Sequence, residues 1–211
     1  MWKIKASIFL RVRFEILKWS LFYIGAVIVA EKILPDYGFT SATMLVASCA
    51  GVTLWHRSKT FIQRVAIHEA AHAVISWKKP LLPEVNCVMA GKYEGLTSYS
   101  NEDMSFLSDD YETTMSYIVM LLAGIAAEIK IYGSPCAGTL SDFLKAECWA
   151  AEISRGSGLG RDEVLETAYR QVTNEVAGNW ATIQALAQEL EKRAVIDADG
   201  LLDILGPRPI S

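Results

Sequence analysis

Histidine is scarce in this 211-residue chain, which holds three: His56, His68 and His72. Cysteine is little richer, with Cys49, Cys87, Cys136 and Cys148, and no two of them make a C-x-x-C pair or a metal-finger spacing. A thiolate zinc finger and a dense disulfide scaffold are thereby excluded, and the expectation is free, mostly buried thiols in a reducing compartment. Positive charge is also short, with 20 Lys and Arg against 24 Asp and Glu for a net charge of -4, which excludes nucleic-acid binding as the main role. No stretch fits G-x-x-x-x-G-K-[ST], so a phosphate loop for nucleotide hydrolysis is absent from this chain. Internal repeats and low-complexity runs are absent as well.

Apolar sequence is plentiful. Hydrophobic residues make up 52% of the chain and the mean hydropathy is +0.23, both high for a purely soluble protein. Residues 1–17, with Lys3, Lys5, Arg11 and Arg13 against Glu15, form a basic leader. Two uncharged stretches follow, "WSLFYIGAVIVA" and "YGFTSATMLVASCAGVTLW", separated by the turn-forming "EKILPDYG". They predict a transmembrane hairpin over 18–56, with spans at about 18–34 and 38–55, since roughly 20 apolar residues cross a bilayer. A buried helical hairpin of a soluble core is the competing reading. Lysines and arginines precede the first span and follow the second as Arg57, Lys59 and Arg64. The positive-inside rule therefore puts both termini in the cytoplasm.

After a short linker at 57–64, residues 65–205 read as a mainly α-helical domain with a small β-hairpin, followed by a tail at 206–211. A helix over 61–77 ends at "KKP". The stretch 84–100, "EVNCVMAGKYEGLTSYS", reads as a short strand pair. Next come an acidic loop, then an apolar helix from Tyr111 closed by Gly133 as a C-cap, and a helix opening near Thr139 or Ser141 as N-cap. Val164, Leu165, Ala168, Val172, Val176, Trp180, Ile183, Leu186 and Leu190 recur at three- and four-residue steps. They predict one long amphipathic helix with a kink at Gly178. "DADGLLDIL" predicts a short closing helix.

The chemistry concentrates in "IHEAAHAV", residues 67–74. Residues four apart share a helix face, so His68 and His72 can present two nitrogens to one zinc ion. Glu69 lies one step round the helix, placed to act as a general base without being a ligand. An ordinary helix carrying two unremarkable histidines is the bland alternative. A catalytic zinc takes three protein ligands, and with no suitable third histidine a carboxylate must serve. Glu128, Asp142 and Asp199 are the candidates.

Several segments in order resemble the protease domain of the FtsH family of membrane-anchored zinc metalloproteases. "VAIHEAAHAV" looks like that family's active-site helix, "LLAGIAAEIKIYG" its helix ahead of the ligand segment, and "GTLSDFLKAECWA" its Asp-bearing ligand motif. "VNCVMAGKYEGLTSY" and "LAQELEKRAVIDADGLLDIL" fit the same template, so the likeness covers roughly residues 61–205. It implies one zinc per chain held by His68, His72 and Asp142, with Glu69 as catalytic base and Glu128 structural or supporting a ligand. It also implies that the edge strand Gly95, Leu96, Thr97, Ser98 and Tyr99 pairs with an extended polypeptide substrate. A homo-oligomer, a hexameric ring in the family, and residence in a bacterial-type inner membrane follow from the same likeness. Two departures stand out. Ala71 replaces a usual glycine, and about a dozen residues separate Trp55 from His68 where the family carries an ATPase module.

The expected activity is therefore an ATP-independent, membrane-tethered zinc endopeptidase acting on unfolded, flexible or membrane-proximal polypeptides, with bilayer and substrate as partners and neither nucleotide nor nucleic acid. A non-catalytic adaptor that keeps the fold is the alternative from another class. An intramembrane protease using Asp199-Gly200 is the third reading. Arg64 and Lys78–Lys79 bracket too few residues around the motif for a span, which counts against it.

Overall fold

The computed structural model describes residues 61–91, 94–100, 110–136 and 139–209. The basic leader, the expected transmembrane hairpin, most of the acidic loop and Cys49 lie outside the described residues. From Ile62 onward the chain forms one unit. It is mainly helical, with a three-stranded antiparallel sheet.

Helix α1 runs through residues 61–77. Its alanines Ala66, Ala70, Ala71 and Ala73, with Val74 and Ile75, are fully enclosed. Small side chains let neighbouring helices approach closely, which is how a helix bearing two histidines can lie in the core. Helix α2, Tyr111–Tyr132, is apolar nearly all round, as a central helix must be. Among the described residues it alone is long and apolar enough to cross a membrane, yet most of it is buried inside this domain.

Both ends of α2 are written in the sequence. Asp110, in extended conformation, accepts hydrogen bonds from the backbone N–H of Glu112 and Thr113 and from the Thr113 hydroxyl at 2.7 Å. Gly133 closes the helix at φ +70° and donates its N–H to the Ile129 carbonyl. That left-handed backbone favours glycine. The Thr113 hydroxyl, then its N–H and that of Glu112, hold the Asp110 carboxyl below its usual range. A lowered carboxylate stabilises the fold above its unfolded-state pKa and loses that contribution as pH falls. Asp110→Ala should accordingly lower Tm by about 2–4 °C at neutral pH. The gap from wild type should close as thermal scans move down through the ordinary aspartate range.

Helix α3, Leu140–Ser157, and helix α4, Arg161–Gly178, pack on α2 and on each other. Thr139 precedes α3 but is not the expected side-chain cap. It is already in helical conformation, and its hydroxyl donates to the Cys136 carbonyl at 2.7 Å. The long helix expected over 164–190 is in fact two. Asn179 leaves the helical region (φ -106°), its N–H and side-chain amide both donate to the Glu175 carbonyl, and helix α5 starts afresh as Trp180–Arg193. The apolar stripe persists across the break because Val176 and Ile183 still face the same core. Helix α6, Ala198–Leu205, closes the domain.

The sheet has strand order β2-β1-β3: β1 is Val85–Ala90, β2 Gly95–Tyr99 and β3 Val195–Asp197. Central β1 pairs antiparallel with β2 (Val88↔Thr97) and with β3 (Val88↔Ile196). Three residues are too few to show a period, which is why β3 went unanticipated. Helices α5 and α6 pack against β1 and β3. Strand β2 is therefore an edge, and no described strand pairs with its outer side. Cys87, Cys136 and Cys148 form no disulfide, as expected, but none is fully buried and Cys148 is exposed.

Candidate metal centre

Residues 61–77 are helical because apolar side chains recur on every turn and no glycine or proline interrupts them. The four-residue spacing then brings the His68 and His72 rings together, centroids 4.6 Å apart. Asp142, in the first turn of α3, reaches the same point. Its Oδ2 lies 3.0 Å from His68 Nε2 and 3.5 Å from His72 Nε2, and the two Nε2 atoms are 2.9 Å apart. Among the described residues these three form the one cluster whose donor atoms could share a metal ion.

The far side of each ring is also engaged. His68 Nδ1–H donates to Glu128 Oε1 at 2.9 Å, and His72 Nδ1–H donates to the Met120 carbonyl at 2.8 Å. Each imidazole is thus turned so that Nε2 faces the cluster, the outer support that metal-ligating histidines generally have. Glu128 is fully buried. Its other oxygen accepts the Cys136 backbone N–H at 2.7 Å, so the carboxylate fixes both the ring and the chain leading into α3.

Charge confirms how tightly the group is coupled. Burial alone would push the His68 imidazole down, but hydrogen bonds to Asp142 and Glu128 outweigh it and carry the group up to about 10. Burial would likewise raise the Asp142 carboxyl, yet hydrogen bonds from His68 and His72 hold it well below the usual carboxylate range. The carboxylates thus favour positive charge at this point.

The donor set also suits a divalent zinc ion. Two imidazole nitrogens and one carboxylate oxygen are zinc ligands, and their separations bracket the roughly 3.3 Å edge of a tetrahedron with bonds of about 2.0–2.1 Å. Three protein ligands leave a fourth position open, as catalytic zinc sites do.

Glu69 lies beside this cluster, nearly buried. The Thr97 hydroxyl donates to its Oε2 at 2.8 Å. Strand β2 alternates as pleating requires. Thr97 and Tyr99 point at the helices, Tyr99 through a hydroxyl 3.1 Å from Met120 Sδ, while Leu96 is 52% exposed. A Cβ at Gly95 would come within 2.5 Å of Glu69 Cγ and Oε1. Of the five residues expected to meet substrate, Thr97 and Tyr99 thus face the site and Leu96 faces away, while no described strand pairs with the outer edge of β2.

Asp199, the remaining carboxylate candidate, is exposed on α6 and takes no part in the cluster. Two contributors went unnoticed in the sequence. Gly124 lies under the His68 ring, where a Cβ would sit 2.4 Å from Cε1 and Nδ1. Met120 supplies a backbone carbonyl, which side-chain reasoning cannot reveal. The available signal was spacing: Met120, Gly124 and Glu128 stand four apart on α2, opposite His72 and His68 four apart on α1. A glycine inside an apolar helix costs about 1 kcal/mol against alanine, so its presence there called for a reason.

No family model matches this chain. It is similar to two curated proteins of the same kind. One is the "ATP-dependent zinc metalloprotease FtsH 2" of Symbiobacterium thermophilum, 25% identical across 68% of this chain and 30% of that protein. The other is the "ATP-dependent zinc metalloprotease FtsH" of Karelsulcia muelleri, 28% identical across 63% of this chain and 23% of that protein. The match spans less than a third of either relative's length. The resemblance to FtsH-type zinc metalloproteases found in the motifs therefore holds across most of the chain.

Proposed function

We propose that this chain is a zinc metalloendopeptidase that hydrolyses unfolded, flexible or membrane-proximal polypeptides without ATP, tethered to the cytoplasmic face of a membrane by residues 18–56. The observation that carries the reading is the convergence of His68 Nε2, His72 Nε2 and Asp142 Oδ2 within 3.5 Å of one another, with Glu69 alongside. Zinc held by these three would supply Lewis-acid activation of water and of the scissile carbonyl at neutral pH. Glu128 and the Met120 carbonyl hold the two rings in ligating orientation. Glu69 takes the proton of the attacking water and delivers it to the departing amine nitrogen. The outer edge of β2, which no described strand pairs, offers backbone groups to an extended substrate, and such strand addition favours chains that are not folded. A homo-oligomer, expected from the family resemblance of the motifs, belongs to the same proposal.

The deciding experiment uses the full chain purified in detergent. Elemental analysis should find about one zinc per chain, and 1,10-phenanthroline should abolish cleavage of unfolded casein, with added zinc restoring it. A preparation that binds no zinc and cleaves no faster than the background would overturn the proposal in favour of a non-catalytic adaptor, and cleavage unchanged by stripping would overturn its metal dependence.

A further inference from the structure

The Glu69 carboxylate is almost enclosed, and a buried carboxylate needs a hydrogen-bond partner to remain ionised cheaply. The side-chain partner it has among the described residues is a single hydroxyl, Thr97 Oγ1, 2.8 Å from Oε2. This hydroxyl also lies 3.4 Å from the Glu69 carbonyl, so Thr97 meets its residue at both backbone and side chain. Gly95, two residues earlier on the same face of β2, leaves open the space that Glu69 Cγ and Oε1 occupy. Strand β2 is thus shaped around this one side chain: a gap at Gly95 and a donor at Thr97.

We propose that Thr97 is a positioning residue for Glu69, its hydroxyl clamping one carboxylate oxygen so that the other takes the proton of the attacking water. The inference rests on the reading of Glu69 as general base and deepens it. As the water oxygen bonds to the carbonyl carbon, its O–H bond breaks and the proton passes to the unclamped oxygen of Glu69. The same proton later moves to the nitrogen as the C–N bond breaks, returning the carboxylate to its starting state. Throughout, Thr97 keeps its own proton and donates it to Oε2. A β-branched residue suits the task because its χ1 is restricted, which fixes the hydroxyl in space. The arrangement also ties the base to the strand along which substrate would lie, so a peptide that adds to β2 docks on the element that orients Glu69.

The test compares Thr97→Val, which keeps the shape and removes the donor, with Thr97→Ser, which keeps the donor, in the full zinc-loaded chain. Thr97→Val should lower kcat about 10- to 100-fold, as loss of alignment at a proton-transfer group does, with KM and zinc content unchanged. Thr97→Ser should recover kcat to within about threefold of wild type. Independently of turnover, the infrared carboxylate band identified by its loss in Glu69→Gln should shift in Thr97→Val and return in Thr97→Ser. A Val variant that keeps wild-type kcat overturns the proposal, as does a loss confined to KM, a Ser variant as impaired as Val, or an unshifted band. If wild type and Glu69→Gln turn over alike, Glu69 is not the base, and that distinct result removes the foundation of the inference.

Discussion

Glu69→Gln is expected to slow polypeptide hydrolysis by about 10²- to 10⁴-fold, the usual worth of a positioned general base, while the protein still binds one zinc. Glutamine matches glutamate in shape, and its amide oxygen can accept the Thr97 hydroxyl as Oε2 does now. The seat against Gly95 is therefore filled as before. Only the ability to take a proton is lost. Because Glu69 stands outside the cluster of His68, His72 and Asp142, zinc content should match wild type. Single-turnover cleavage of a labelled unfolded substrate with zinc analysis of the same sample checks both halves. Turnover within tenfold of wild type would remove Glu69 from the role.

Gly124→Ala should damage the site from behind. The added methyl would stand 2.4 Å from His68 Cε1 and Nδ1 and 2.6 Å from Cγ, distances no carbon contact tolerates. Helix propensity pulls the other way, since alanine is better than glycine by about 0.8–1.0 kcal/mol. Overpacking of a close-packed core costs about 1–3 kcal/mol, and here the atoms that must move belong to an imidazole held at both nitrogens, by Glu128 and Asp142. The clash should win. We expect lower stability and a zinc affinity weakened about 10- to 100-fold, as for other losses of outer support to a ligand. Chelator competition measures the affinity. Gly156→Ala on α3, with nothing within 4 Å, isolates the propensity effect and should stabilise slightly. If both variants behave alike, Gly124 does not shape the His68 pocket.

Much of this was legible in the sequence for identifiable physical reasons. Asp110 and Gly133 announce the ends of α2, because cap chemistry is local to a few residues. The pair His68 and His72 is legible because helix periodicity alone puts them on one face. Asp142 was one of three open carboxylates on residue type, and resemblance singled it out. Whether a carboxylate turns inward depends on how α3 packs on α2, and no local pattern carries that. The break at Asn179 was hidden for the opposite reason. The apolar stripe runs on through it, so periodicity reports a shared core and not an unbroken helix. Strand β3 and the Met120 carbonyl left no trace, the one being too short for a pattern and the other lying in the backbone.

The opposed spacing of α1 and α2 bears on which changes of length this domain can survive. His72 meets Met120 while His68 meets Gly124 and Glu128, so the helices run past each other like two rulers read in opposite directions. An α-helix turns about 100° per residue. Adding or removing one residue between Met120 and Glu128 would swing Glu128 a quarter-turn away from His68 while Met120 stayed beside His72. Individual side chains along this seam can be exchanged for others of similar size, but its residue count cannot change without parting one of the two histidines from its support.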